Sequence, residues 1–258
     1  MTQLDSERYY AQISSSTADI AALVDGADLT TPIPSCPEWT LRQLATHVGR
    51  AQRWAATIVS TRSAEFIPFR SVPDGRLPDD PAAHAAWLAA GAQQLSAAVR
   101  EAGQDRVWTF AGLAPAPFWA RRMCHETVIH AADALLAAGR PVSIEADVAA
   151  DGIDEWLTVL TVPAGTEPDQ RTAALPAGRS LHVHATGEGL AGAGEWLVRH
   201  EPDGVQVERA HGQGHVAATG PADRLLLMLM RRVPADDPAL TVHGDAAVLA
   251  GWLGATAF

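Results

Sequence analysis

The densest chemistry in the sequence lies in Cys124-His125-Glu126-Thr127-Val128-Ile129-His130-Ala131-Ala132-Asp133. The run around it, Phe118 to Ala138, contains neither Pro nor Gly and reads as helix. Residues four apart on a helix stack on one face, one turn above the other. Glu126 and His130 are such a pair, and Asp133 follows on the same face. A carboxylate and an imidazole placed this way can close on one divalent cation. Zinc accepts both donor types, and a catalytic zinc commonly takes three protein ligands and keeps one position open. The pair therefore lacks a ligand, which another helix must supply. The same spacing also suits a solvated pair or a local hydrogen bond, so both readings stand at this point. His125, Glu126 and His130 do not make the zinc-protease motif. That motif needs histidines at i and i+4, and here they fall at i and i+5, on different faces.

The elements that would position these groups follow from the pattern of apolar residues. Thr40 is a good N-cap for a second helix, whose apolar stripe is Leu41, Leu44, Val48, Ala51 and Ala55. His47 falls on that inward face. It is the best-placed third ligand, although an inward histidine can equally be a hydrogen-bonded core residue. A first helix is expected from about Asp5 to Val24, closed by Gly26, and a third from Pro81 to about Ala102, closed by Gly103. A loop with three prolines (Pro32, Pro34, Pro37) precedes the second helix, and residues 63–80 read as another loop. Trp108, Phe110, Pro115 and Pro117 lie in a connection that could wall a pocket. Gly139-Arg140-Pro141 ends the fourth helix. Four helices joined by loops imply a bundle, and bundles build metal sites in the core from facing helices.

The pattern changes after about residue 145. A short helix is expected at Asp151–Leu160, then a polar loop from Pro163 to Gly178. Ser180–Thr186 alternates as a strand. Glu195–His200 and Val205–Arg209 read as a hairpin around Glu201-Pro202-Asp203-Gly204, and Gly214–Thr219 as a further strand. A buried helix at Ala222–Met230, a strand at Leu240–Val242 and a helix at Asp245–Leu253 complete an α+β domain. The expected division is 1–145 and 146–258. His182 and His184 share one strand face, and His211 and His215 flank Gly212-Gln213-Gly214. The sequence offers them no carboxylate at matching spacing. Cys36, beside the proline loop, reads as structural and Cys124 as core.

With 258 residues the chain is long enough for one or two domains. Its net charge of −11 argues against a nucleic-acid backbone as partner. Two cysteines cannot make a disulfide framework, which points to a reducing cytoplasm. The first residues, Met1 to Glu7, have no basic and apolar segments of a secretory signal. No apolar run reaches the roughly 18 residues of a membrane span. A cytoplasmic protein, monomeric or a small homo-oligomer, with no membrane partner, is the expectation.

Two segments resemble a known family. Cys36-Pro37-Glu38-Trp39-Thr40-Leu41-Arg42-Gln43-Leu44-Ala45-Thr46-His47 is similar to the Cys-Pro-x-Trp-Thr-x-x-Asp-Leu-x-x-His segment of mycothiol-dependent maleylpyruvate isomerases. Arg121 to Ala134 is similar to that family's His-Glu-x-x-x-His-Arg-x-Asp-Ala segment, and Gly220 to Leu253 to its closing segment. The resemblance implies a DinB-like four-helix bundle followed by a smaller α+β domain of the sterol-carrier-protein type. It implies zinc, or another divalent metal, on His47, Glu126 and His130, with mycothiol as thiol cosubstrate. It implies that Arg232 binds a substrate carboxylate and that Asp133 orients His130. The implied function is an isomerase, or an S-transferase, in which a metal-activated thiolate attacks a small electrophile. The alternative is a non-catalytic protein that binds a metal or small ligand. Two positions depart from the family pattern: Ala131 replaces an Arg, and Arg231 replaces a Gly.

Overall fold

Asp5 starts the first helix by accepting the Arg8 backbone N–H on its side chain, 2.8 Å away. The helix, α1, runs Ser6–Val24. The computed structural model describes residues 3–161, 175–190, 194–202 and 204–256. The proline-rich stretch after α1 is more ordered than a loop: Pro32–Ile33 (β1) and Cys36–Thr40 (β2) pair antiparallel. Prolines are compatible with such a ribbon because each strand is an edge strand with half its N–H groups pointing away from its partner, and because the register is irregular at Pro32/Ile33. Thr40 then caps α2 (Leu41–Ser60) in a full capping box, its backbone N–H donating to Gln43 Oε1 at 2.8 Å.

The third helix, α3, spans His84–Ala102 after a short 3-10 turn at Pro81–Ala83. The aromatic connection that follows is also a hairpin, β3 (Arg106–Thr109) paired with β4 (Gly112–Pro115). Pro117 is the first residue of α4 (Pro117–Ala137), where a missing N–H costs nothing. The four helices pack as a bundle, α2 most closely along α3 and α1 along α4 and α3. Close approach of α2 and α3 needs Gly49: a Cβ there would meet a ring carbon of Trp87 at 2.1 Å. Leu44, Val48, Leu88, Ala131 and Ala134 lie in one continuous core with Ile20 and Val24. Inside the bundle the Gln52 amide donates to Thr17 of α1 at 2.9 Å and to Thr127 of α4 at 3.2 Å, tying three helices together.

Asp5–Val142 forms one compact unit, and Ser143–Phe258, with Met1–Leu4, forms another. The second unit begins with α5 (Ala146–Thr161), which starts earlier than the expected Asp151. Val148, Ala149 and Ala150 are fully buried, so packing extends the helix toward its N-terminus through weakly patterned residues. The expected loop at Pro163–Gly178 lies largely outside the described residues. The sheet has five strands in the order β7-β6-β5-β8-β9: β5 Ser180–Thr186, β6 Glu195–Glu201, β7 Gly204–Glu208, β8 Val216–Pro221 and β9 Thr241–Gly244. All neighbours are antiparallel except β5 and β8. The remaining helices are α6 (Ala222–Leu229) and α7 (Ala246–Ala255). One sheet face, with Val183 and Trp196, is on the helix side: the Trp196 indole donates to Asp154 of α5 at 3.1 Å.

Helix α6 ends in a Schellman turn. Arg231 N–H donates to the Met228 carbonyl and Arg232 N–H to that of Leu227, at 2.9 and 2.7 Å. The residue at the left-handed position is Arg231, with φ 63°. Helix α4 closes with the same pair of hydrogen bonds, but there the left-handed residue is Gly139, φ 64°. Arg231 therefore adopts the backbone conformation that glycine favours, in the same kind of turn that Gly139 makes at the end of α4.

Candidate metal centre

Helix periodicity puts Arg122, Glu126, His130 and Asp133 along one strip of α4, and His47 faces them from α2. His47 Nε2 donates to Glu126 Oε1 at 2.9 Å, and His130 Nε2 lies 3.4 Å from the same oxygen. One ligand atom from each of His47, Glu126 and His130 falls within 4.8 Å of the others. The other carboxylate oxygen, Oε2, accepts from Arg122 at 2.6 Å. Arg122 is four residues before Glu126, a spacing that was available in the sequence. It fixes the carboxylate so that Oε1 turns toward both imidazoles.

His130 is fixed from its other side. Its Nδ1 lies 2.9 Å from Asp133 Oδ2, and Asp133 is fully buried. Asp133 is held in turn by the Ser35 hydroxyl, which donates to Oδ1 at 2.6 Å, and by Cys36, whose Sγ lies 3.8 Å from Oδ2. Cys36 is thus part of the support around the site, which its place beside a proline loop had not suggested. Cys36, His130 and Asp133 form a second set of donors within 4.8 Å, sharing His130 through its other nitrogen. The turn between β1 and β2 supplies Ser35, and β2 begins with Cys36, so the hairpin has a local purpose. Trp39, on β2, packs against both imidazoles, with ring centroids 4.7 Å from His47 and 5.5 Å from His130. Phe69 approaches His47 at 6.1 Å and joins Trp54, which contacts Trp108 and Trp119, in an aromatic wall.

The electrostatics follow from this geometry. Burial would raise the Glu126 carboxyl, but hydrogen bonds from His130 and His47 and the Arg122 charge hold it well below the usual carboxylate value. Burial would likewise lower His130, but its hydrogen bonds to Asp133 and Glu126 push it up to about 9. A neutral His130 that donates from Nδ1 to Asp133 presents a bare lone pair to Glu126 Oε1. Two lone pairs cannot face each other at this range without a cation between them, either a proton or a metal ion. Two imidazole nitrogens and a carboxylate oxygen are the donor set of a zinc-class ion. The residues present therefore fit the metal that the family resemblance implied.

The other expected groups fall elsewhere. His125 is buried against Tyr9 and takes no part in the cluster. Cys124 is fully buried. Arg232 belongs to the second unit, where its Nη1 donates to the Met230 carbonyl at 2.6 Å. His215 receives the Ser180 hydroxyl at 2.9 Å. His182 and His184 are not without a carboxylate, as the sequence suggested: the sheet brings Glu195 to them. That partner was hidden because cross-strand register is a tertiary fact, with no fixed spacing in the sequence.

Comparison with known proteins agrees with this architecture. Two solved structures of the mycothiol-dependent maleylpyruvate isomerase, one of them a histidine-to-alanine variant, superimpose with a TM-score of 0.59 each. They are 18% and 17% identical to this chain, and each alignment covers 94% of this chain and 95% of theirs. No curated protein matches the sequence significantly. The model of the mycothiol maleylpyruvate isomerase N-terminal domain matches residues 10–135, and that of the corresponding C-terminal domain matches residues 147–251. With both domain models matched in order over most of its length, the chain belongs to the mycothiol maleylpyruvate isomerase family.

Proposed function

We propose that the protein is a mycothiol-dependent isomerase or S-transferase acting on a small electrophile, with a divalent metal held by His47, Glu126 and His130. The observation that carries this reading is the convergence of the two imidazoles on Glu126 Oε1. Family membership supplies the thiol and the reaction class. In the isomerase the thiolate adds to an activated cis double bond, the new single bond rotates, and the thiolate leaves. In the S-transferase it displaces a leaving group.

A bound divalent cation favours thiolate over thiol. The protein's own residues set up the site for it. Arg122 holds the rear oxygen of Glu126, so the front oxygen keeps one direction. Asp133 fixes the tautomer and the ring plane of His130, as outer partners of ligating histidines commonly do. Trp39 holds both imidazoles on their apolar side. Arg232, if it binds a substrate carboxylate as the family resemblance implies, would do so through the paired N–H groups that suit that shape.

Metal analysis together with turnover tests the proposal. Purified protein should carry a zinc-class ion at this site and convert maleylpyruvate, or a related electrophile, only when mycothiol is present. His130→Ala should remove that ion and the turnover together. Arg232→Ala should keep the metal and raise KM for an anionic substrate. Thiol-independent turnover, or full activity in His130→Ala, would overturn the reading.

A further inference from the structure

The sheet of the second unit carries another convergence of ligand-type side chains. His182 and His184 alternate with the fully buried Val183, so they lie on the face opposite to it. Register places His184 directly across from Glu195 on β6, with His182 two residues away on the same face. Glu195 Oε2 is 2.9 Å from His182 Nε2 and 2.7 Å from His211 Nδ1, and its Oε1 is 3.9 Å from His184 Nε2. Among the described residues its ion-pair partners are all histidines, whereas Glu126 also has Arg122. Both Glu195 oxygens are therefore directed at imidazoles, and among the described residues no guanidinium forms an ion pair with either.

His211 comes from the segment after β7, and two glycines let that segment lie on the sheet. A Cβ at Gly212 would stand 2.6 Å from Leu197 Cδ2, and one at Gly214 would stand 2.8 Å from the His182 backbone nitrogen. The ligand-bearing face continues sideways: Ala217 of β8 adjoins His182, and His243 of β9 adjoins Ala217. The small Ala217 side chain helps leave a cavity of about 470 Å³, lined by His182, His211, Gln213 and His243 among others. One atom each from His182, Glu195 and His211 lies within 4.8 Å of the others.

We propose that His182, Glu195 and His211 form a second divalent-metal site. Two nitrogens and one carboxylate oxygen select a zinc-class transition ion over magnesium or calcium, which prefer oxygen donors alone. Three protein ligands leave positions open, and because His182 and His211 also line the cavity, water or a small anion there can complete the coordination. His184, with Nε2 3.9 Å from Glu195 Oε1, stands beside this donor set and outside it. The site is independent of His47, Glu126 and His130, because no residue is shared.

The test is a titration of the full chain, stripped with chelator, with Co²⁺ followed by its visible absorption and displaced by Zn²⁺. The native protein should take two equivalents. His211→Ala should take one, retaining thiol-dependent turnover, and because its side chain is exposed the fold should be intact by circular dichroism. Glu195→Gln, which preserves shape, should also take one. His130→Ala should lose the other equivalent, and the His130→Ala/His211→Ala double variant should take none. Two equivalents in both His211→Ala and Glu195→Gln would overturn the proposal. So would a single native equivalent that His130→Ala abolishes, since the cluster would then be a hydrogen-bond network alone. A single equivalent lost in His211→Ala and kept in His130→Ala would instead support this site and refute the metal reading of the first.

Discussion

Asp133 shows how much of a candidate site can rest on a residue that stands behind one of its imidazoles. It is fully buried, and its carboxylate joins His130 to Ser35 and the Cys36 thiol, two residues almost a hundred positions earlier in the chain. Asp133→Asn keeps the shape and removes the charge that favours an Nδ1–H on His130. Metal affinity at the first site should fall by about 10–100-fold, the usual range when the outer partner of a ligating histidine is changed. Competition titration against a chelator of known affinity measures this, and unchanged affinity would mean that Asp133 only fills space. Arg231 is a residue-scale case of a different kind. A side-chain-bearing residue at φ 63° costs about 1–2 kcal/mol, while glycine loses about 0.5–1 kcal/mol more entropy on folding. Arg231→Gly should therefore stabilise the protein by about 0.5–1 kcal/mol. A rise in the denaturant midpoint at constant slope would show it, and a fall would mean that the Arg231 side chain makes stabilising contacts.

At the scale of elements, α2 has two jobs on two faces. One face presents His47 toward α4; the other lets α3 approach through Gly49. Alanine at position 49 would gain about 1 kcal/mol of helix propensity. Against that, its Cβ would enter the Trp87 ring, which is anchored by an indole hydrogen bond to the Asp74 carbonyl at 2.9 Å. Overpacking of this kind costs about 1–3 kcal/mol, so the steric effect should win. Gly49→Ala is expected to lower the Tm, followed by circular dichroism. An unchanged Tm would mean that Trp87 can move aside at little cost. The two hairpins also serve the bundle: β1–β2 delivers Ser35, Cys36 and Trp39 to the candidate site around His130, and β3–β4 places Trp108 against Trp54 and Trp119.

At the scale of the molecule, each unit has a ligand cluster of its own, on a different kind of scaffold. The first stands on two helices and the second on a sheet and the segment after β7. The first unit also has a continuous core, with Leu44, Val48 and Leu88 all at or near zero exposure. A fragment of residues 5–142 should therefore fold as a helical domain and bind one equivalent of metal. It should lack turnover on anionic substrates if Arg232 is needed. Circular dichroism and metal analysis of the fragment test this, and an unfolded or metal-free fragment would show that the second unit is required. Helix-forming stretches, the Thr40 cap and the i,i+4 and i,i+3 relations of Glu126, His130 and Asp133 were determined locally, by periodicity within one turn or two, and the sequence carried them without help. The tertiary structure alone decided that Ser35 and Cys36 meet Asp133, that α5 starts at Ala146, and that Glu195 stands among three histidines. Those outcomes depend on strand register and on packing between distant segments, which no spacing along the chain encodes.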